Sequence, residues 1–469
     1  METQDTSKSL SKRVILYDNK HPKKISANRL SAAYREDEAI VYLDKSKFPP
    51  HKVAEKIDSI KKKYKAEHHI TIDDHQQIKC SNCDIDIPLF LIRGKGIHTK
   101  VADTLPGGTG PTPKTAGEYH FPNFLSRIPH NDWEQPNHDK KWESYKTKEQ
   151  TVTIAVLDTG IDTDNLVNPA YICDDFTQGK DLPCFSDVTK GGWNFLDNND
   201  KYFDDNKGKH GSLVSQYIIN QFKYSDKGVK IMPLKTHNKD GEADLTSIIC
   251  AIHFAIAKGA NIINASWGFY YYWNDNRNFL NFFKNLIGDE LQKKGILFVT
   301  AAGNRIPQED ILAEDIYDSR YGIHLKNNDL RDLRIHKYFP AHLSHAESNI
   351  VTVTTTTIDG TGISPEQNYS NRDVDLGVKA DAGENKDPGF KVPFKLSSGT
   401  IPMRGSSFAT AIATGIIGAK SDRNLYRAGL KKDDFINPLT AVPGMPSISV
   451  RPKLKDLIRN GAFISDYIK

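Results

Sequence analysis

The sequence predicts an α/β protein, a mainly parallel sheet with helices on both faces, preceded by a small α+β unit. Two observations carry this. From Thr151 onward, runs rich in Val, Ile and Thr alternate with helical patterns, and continuous apolar strands separated by helices belong to a parallel sheet buried on both sides. Residues 1–100 instead hold short strand runs around one amphipathic helix, with a net charge of +6 against −2 for the remainder. At 469 residues, 38% hydrophobic and 26% charged, the chain has room for two or three domains and is too apolar to be largely disordered.

In the first unit, residues 39–43 (AIVYL) read as a strand, and Pro49-Pro50 opens a helix. Within it Val53, Ile57, Ile60 and Tyr64 recur at helical spacing, opposite a lysine-bearing face. Residues 69–72 (HITI) and 89–92 (LFLI) follow as strands. Residues 101–146, with TLPGGTGPTPKTAGEYHFP, read as a linker rich in Gly and Pro. Residues 147–445 form the larger domain. Its strands are TVTIAVLD, GVKIMPLK, ANIINAS, GILFVTAAG and NIVTVTTT, and its helices GSLVSQYIINQF, ADLTSIICAIHFAIAKG and NFLNFFKNLIGDELQKK. Residues 305–337 read as a polar surface insertion, and 446–469 as a C-terminal tail entered by the short helical candidate KLKDLIRNGAF.

Composition narrows the function classes. Sixty-three Lys and Arg against 59 Asp and Glu are too balanced for a nucleic-acid or polybasic membrane partner. No run approaches 18 apolar residues, so no membrane helix is expected, and the first 30 residues lack the apolar run of a signal peptide. The expected location is therefore cytoplasmic, unless a leader has been lost. Five cysteines do not make a disulfide framework. Cys80 and Cys83 form a lone CxxC and read as incidental thiols. Cys173 and Cys184 would pair only after export, and Cys250 reads as core.

Three short segments carry chemistry. Asp158 ends the strand of VLDTG, where a carboxylate can hold a buried imidazole; alone, Asp-Thr-Gly is also a common turn. His210 opens the helix of HGSLV after an acidic loop, where a lone His is also a structural residue. Ser407, in GSSFAT, stands in the first turn of a helix made almost only of small and aliphatic residues, near the positive end of its dipole. Taken alone, Ser406 or Ser407 reads as an N-cap, a common use of Ser at a helix start.

Together these segments resemble the Asp, His and Ser blocks of the subtilisin-like serine protease (subtilase) family, in that family's chain order, over about residues 147–420. The resemblance extends to GGWNFLDNNDKYFDDNKGKHGS, to Asn264-Ala265-Ser266-Trp267-Gly268, and to Ala301-Ala302-Gly303-Asn304. Phe339-Pro340-Ala341 and Tyr369-Ser370-Asn371 also fall in order. It implies a three-layer α/β/α domain and a serine endopeptidase that works through an acyl-enzyme. Ser407 would be the nucleophile, His210 its base and then its acid, and Asp158 the carboxylate that fixes the imidazole. Asn304 and the backbone N–H of Ser407 would bind the oxyanion. Ser266, Trp267 and Gly268 would pair with an extended peptide, and the P1 pocket would lie between them and Ala301, Ala302 and Gly303. The aromatic run at 269–273 would either wall the cleft or pack an insertion.

Some positions depart from the family pattern. Ala411 stands for its usual Pro, Ser212 for Thr, Leu213 for His and Phe408 for Met, none of them a reacting group. The chemistry needs no cofactor. The family often binds calcium, and Asp162, Asp164, Asp197, Asp200, Asp204 and Asp205 supply carboxylates without EF-hand spacing. Residues 33–100 resemble the family's inhibitory propeptide in pattern. The implied partners are protein or peptide substrates and this N-terminal domain, whose end, GKGIHTKVADTLPGG, would lie along the cleft as in a zymogen. A domain retained as a permanent gate is the other reading of the same residues. Two further functions stay open: a catalytically silent peptide-binding module on the same fold, and an effector protease switched on by a partner or ligand.

Overall fold

The computed structural model describes residues 13–14, 34–78, 80, 88–101, 117–128, 148–173, 191–271, 277–305, 329–384, 388–393, 402–441 and 448–468. In the N-terminal unit, β1 (Arg13–Val14) and β2 (Tyr34–Leu43) precede helix α1 (Pro50–His68). Then come β3 (Asp74–Gln77), β4 (Leu89–Arg93), α2 (His98–Val101) and β5 (Glu118–Arg127). The strands form an antiparallel sheet in the order β3-β4-β2-β5, with β1 also on β2. Helix α1 starts on Pro50, whose fixed φ suits a first helical position. Its stripe of Ile57, Ile60 and Tyr64 packs on Ala39, Val41, Leu43, Phe90 and Ile92. The expected strand at 69–72 is not formed. His69 instead caps α1 in the left-handed region (φ 55°), and the Ile70 N–H bonds back to Tyr64 O.

Strand β5 lies inside the segment expected as a linker. It pairs with β2 from Glu118 to Phe124, and its last three residues pair with β9 (Glu242–Asp244) of the larger domain. Phe121 and Phe124 of β5 bury against Phe279 at ring-centroid distances of 5.8 and 5.2 Å. Aromatic burial of this size outweighs the local preference of a Pro-bearing segment for an irregular path.

The larger sheet has nine strands in the order β16-β17-β15-β14-β12-β10-β6-β8-β7. Here β6 is Thr151–Asp158, β7 Trp193–Asn194, β8 Gly228–Lys235 and β10 Ile262–Ala265. The others are β12 (Leu297–Ala301), β14 (Ile350–Thr356), β15 (Leu376–Lys379), β16 (Ile448–Val450) and β17 (Ala462–Ile464). Every pair is parallel except β16 with β17. Residues of β6 alternate between two cores. Val152, Ile154 and Val156 join helices α3 (His210–Asn220) and α6 (Ser406–Lys420), while Ala155 and Leu157 join α4 (Leu245–Ala257) and α5 (Arg277–Phe283). This makes three layers. Helix α6 is buried on every side from Ser406 to Ala419, as its composition predicts.

Two more segments differ from expectation. The helix read in KLKDLIRNGAF is replaced by short 3-10 turns and β17, because Asn460 and Gly461 take positive φ (58° and 67°). The part of the 305–337 insertion at 329–337 is not surface, since Leu330 and Leu333 are fully buried; residues 306–328 lie outside the described residues. Helix α7 (Lys432–Ala441) packs beside α6. Among the described residues no helix is long and apolar enough to cross a membrane.

Cys80 and Cys250, read as an incidental thiol and a core residue, are joined in a disulfide. It ties the end of the β3 segment to the middle of α4, and so joins the N-terminal unit to the larger domain.

Candidate active site

Parallel strands deliver their C-terminal ends to one edge of a sheet, where loops gather functional side chains. Asp158 is the last residue of β6, and His210 is the first of α3. The two meet in the interior, with His210 Nδ1 2.8 Å from Asp158 Oδ1 and 3.0 Å from Oδ2. Asp158 Oδ1 also accepts the Thr159 N–H at 2.8 Å. Thr159 Oγ1 in turn accepts the Gly211 N–H at 3.0 Å. A Cβ on Gly211 would stand 2.2 Å from Gly160 O, so only glycine lets the helix start come this close. Nε2 of His210 is buried and has no hydrogen-bond partner among the described residues.

Ser407 lies in the first turn of α6, whose N–H groups have no partner within the helix. Its hydroxyl donates to Ser266 O at 2.9 Å, and the Ser266 hydroxyl donates back to Ser407 O at 3.0 Å. The ring of Phe408 stands 5.3 Å from that of His210. Asn304 follows β12, and its Oδ1 accepts the Ser406 N–H at 3.0 Å and the Ser406 hydroxyl at 3.1 Å. Ser406 Oγ also accepts the Gly303 N–H at 3.1 Å. With Oδ1 engaged, the Asn304 amide keeps its N–H donors for another acceptor. Asp158, His210, Ser407 and Asn304 thus converge at one end of the sheet. Ser266 braces Ser407, and Trp267 is a core side chain, 1% exposed.

Asp204, Ser212 and Ser406 belong to the surroundings of the site, but sequence reasoning gives them no such place. Ser212 donates to Asp204 Oδ2 through both its N–H (3.0 Å) and its hydroxyl (2.7 Å), and its hydroxyl accepts the Asp162 N–H. Burial raises the pKa of the Asp204 carboxyl, against the pull of these bonds. The remaining acidic loop is engaged within the chain. Asp162 holds the N–H groups of Asp164 and Asn165 and pairs with Lys209, Asp205 pairs with Lys235, and Asp197 accepts from Asn194. Among the described residues no group of three or more His, Cys, Asp or Glu side chains is placed to hold a metal ion.

The cleft beside Ser407 has two edges, and the end of β5 runs between them. On one side Leu125–Arg127 pairs antiparallel with β9, and the Ile128 N–H reaches Gly241 O at 2.8 Å. On the other side the Arg127 N–H reaches Gly268 O at 3.3 Å. The described segment that pairs with both is the end of β5; of the segment expected there, residues 94–101 lead into and form α2, and 102–108 lie outside the described residues. Ser126 is buried, and its Oγ lies 3.2 Å from Nε2 of His237. Nδ1 of that ring meets Thr236 Oγ1 at 2.9 Å, and burial pulls the imidazole pKa down to about 3.

The space between Gly268 and Gly303 holds the ring of Tyr338. A Cβ on Gly268 would stand 2.3 Å from Tyr338 Cε1, and one on Gly303 would stand 2.7 Å from the same atom. Tyr338 belongs to β13 (Tyr338–Phe339), which pairs with β11 (Phe269–Tyr270). Of the aromatic run at 269–273, Phe269, Tyr270 and Tyr271 are buried packing residues, and 272–273 lie outside the described residues.

The model of the subtilase family matches residues 149–431. No curated protein matches. Among solved structures, the chain is similar to a lanthipeptide protease at 17% identity, over 67% of this chain and 85% of that one, with a TM-score of 0.45. It is similar to a cold-adapted subtilisin-like serine proteinase at 15% identity, over 71% and 96%, with a TM-score of 0.43. It is also similar to the epidermin leader peptide processing serine protease of Staphylococcus aureus at 13% identity, over 92% and 99%, with a TM-score of 0.49.

Proposed function

We propose, from the premise that the chain belongs to the subtilase family, that it is a serine endopeptidase restrained by its own N-terminal unit. The observation that carries this reading is the buried Asp158–His210 pair, whose ring lies against Phe408, the neighbour of Ser407, with Nε2 unpaired among the described residues. Rotation of the Ser407 hydroxyl off Ser266 O would give Nε2 its partner. As Oγ attacks the substrate carbonyl, a C–O bond forms, the proton passes to Nε2, and Asp158 stabilises the imidazolium. The oxyanion would meet the Asn304 amide and the Ser407 N–H. Collapse breaks the C–N bond, with the proton returned to the leaving amine, and water then hydrolyses the acyl-enzyme by the same steps reversed.

The restraint is the end of β5. Residues 125–128 use the backbone groups of Gly241, β9 and Gly268 that an extended substrate would use, so substrate must displace them. A catalytically silent peptide-binding module is the second reading, favoured by the Ser407 hydroxyl being turned to Ser266 O.

Intact mass after incubation with a fluorophosphonate separates the two. The test uses the full chain, the full chain with Arg127→Pro, which removes the N–H given to Gly268, and Ser407→Ala. One adduct, faster with Arg127→Pro and absent from Ser407→Ala, is expected. Adduct on Ser407→Ala would exclude Ser407 as nucleophile. No adduct on either of the first two would leave the silent module.

A further inference from the structure

We propose that Tyr338 closes the P1 pocket, which makes this chain a protease for bonds that follow a small residue: glycine, alanine or serine. The inference rests on the protease reading and names its substrate class. The register of the cleft locates P1. Arg127 stands antiparallel to Gly268, so in a substrate that takes the same ladder the residue two places after the one opposite Gly268 would stand opposite Ser266. Ser266 O holds the Ser407 hydroxyl, so the carbonyl exposed to attack belongs to the residue opposite Ser266. Its side chain would enter between the segment of Gly268 and the segment of Gly303.

That space is filled from inside the protein. Gly268 and Gly303 stand on facing segments, and both turn their missing side chains toward the Tyr338 ring, which is only 6% exposed. The ring is also anchored. Tyr338 pairs through its backbone with Tyr270, and the two rings pack edge to face at 4.9 Å. The Tyr270 hydroxyl bonds to Asn304 O at 3.0 Å and to Asn368 Oδ1 at 2.8 Å, so the plug is fastened to the backbone of the proposed oxyanion residue. A Leu or Phe at P1 would have to expel a packed aromatic ring and break this arrangement. A methyl group or hydrogen would not.

The test measures kcat/KM for peptides that differ only at P1 (Gly, Ala, Leu and Phe), with the full chain and with Arg127→Pro. Ala or Gly is expected to exceed Phe by at least about tenfold, the scale on which shape discriminates apolar side chains. Tyr338→Gly should shift the Phe-to-Ala ratio of kcat/KM toward Phe by a similar factor, and Tyr338→Phe should keep the original order. Labelling by a small fluorophosphonate, reported alongside, separates the two levels of failure. A wild-type chain that labels at Ser407 but prefers Phe or Leu overturns the role of Tyr338 alone. A chain that labels in neither background overturns the protease reading and this inference with it.

Discussion

Ser406 holds Asn304 by two bonds to one atom: its N–H and its hydroxyl both donate to Asn304 Oδ1, at 3.0 and 3.1 Å. The same hydroxyl accepts the Gly303 N–H, so one side chain fixes both the amide and the turn that carries it. Ser406→Ala leaves the Gly303 N–H without its acceptor and frees the amide to rotate. We expect kcat to fall roughly tenfold, less than for loss of the amide itself, with KM nearly unchanged. Ser406→Thr should restore most of the rate. A KM effect with kcat preserved would count against a positioning role.

Burial makes stability strongly dependent on pH. Burial pulls His237 and His342 down to about 3 and His253 and His336 down to about 4. Below about pH 6.5 the unfolded chain binds these protons and the native chain does not, so the stability they carry is complete above that pH and is lost on acidification. Each such group costs about 1.4 kcal/mol per pH unit, or roughly 5 kcal/mol per unit for four. His345, raised by its hydrogen bond to Asp373, acts in the opposite sense. Tm should therefore drop steeply between pH 6 and 4.5, and His342→Gln should shallow the slope by about one proton. A flat Tm profile over that range would contradict the assignment.

What the sequence discloses follows from how local each signal is. β6 and β8 begin and end where the runs TVTIAVLD and GVKIMPLK do, because strands buried on both faces are mostly apolar along their length. Asp158, His210 and Ser407 are legible as blocks in order, and the fold brings the first two to 2.8 Å. β5 is hidden by a Gly- and Pro-rich approach and by Pro122 within it. What makes it a strand is the cluster of Phe279 and Phe282, far away in the chain. Ser406 looks like an N-cap, and its real partners, Gly303 and Asn304, lie about a hundred residues earlier. Tyr338 has no pattern of its own. Its meaning depends on two glycines that the chain brings to opposite sides of its ring.

The Cys80–Cys250 disulfide predicts that cutting the chain does not release the N-terminal unit. The crosslink spans 170 residues, and a loop of that length is worth roughly 5 kcal/mol in the chain-entropy account. Disulfides persist in oxidising surroundings and are rare in the cytosol, so this bond argues against the cytoplasmic location expected from the first residues. A single cut at a specific protease site inserted between residues 128 and 148 should give two fragments that migrate together under denaturing conditions without reductant and separate once a dithiol takes the bond to two thiols. Cys80→Ser should release the N-terminal fragment without reductant. Free thiols at both positions in protein purified under oxidising conditions would refute the link.

The contact between Ser126 and His237 predicts how firmly the N-terminal strand is seated. The buried imidazole is neutral, with Nδ1 on Thr236 Oγ1 and Nε2 on Ser126 Oγ. Ser126→Ala leaves Nε2 buried and unpaired only while the strand occupies the cleft; once the strand leaves, the ring can reach water. The closed state alone therefore loses about 1–3 kcal/mol, the cost of one unmet buried polar group. Opening should become about five- to 150-fold more populated on that scale, and fluorophosphonate labelling of the full chain should accelerate accordingly. Ser126→Thr keeps a hydroxyl and should label at the wild-type rate. Equal labelling rates for Ser126→Ala and wild type would show that this bond does not hold the strand.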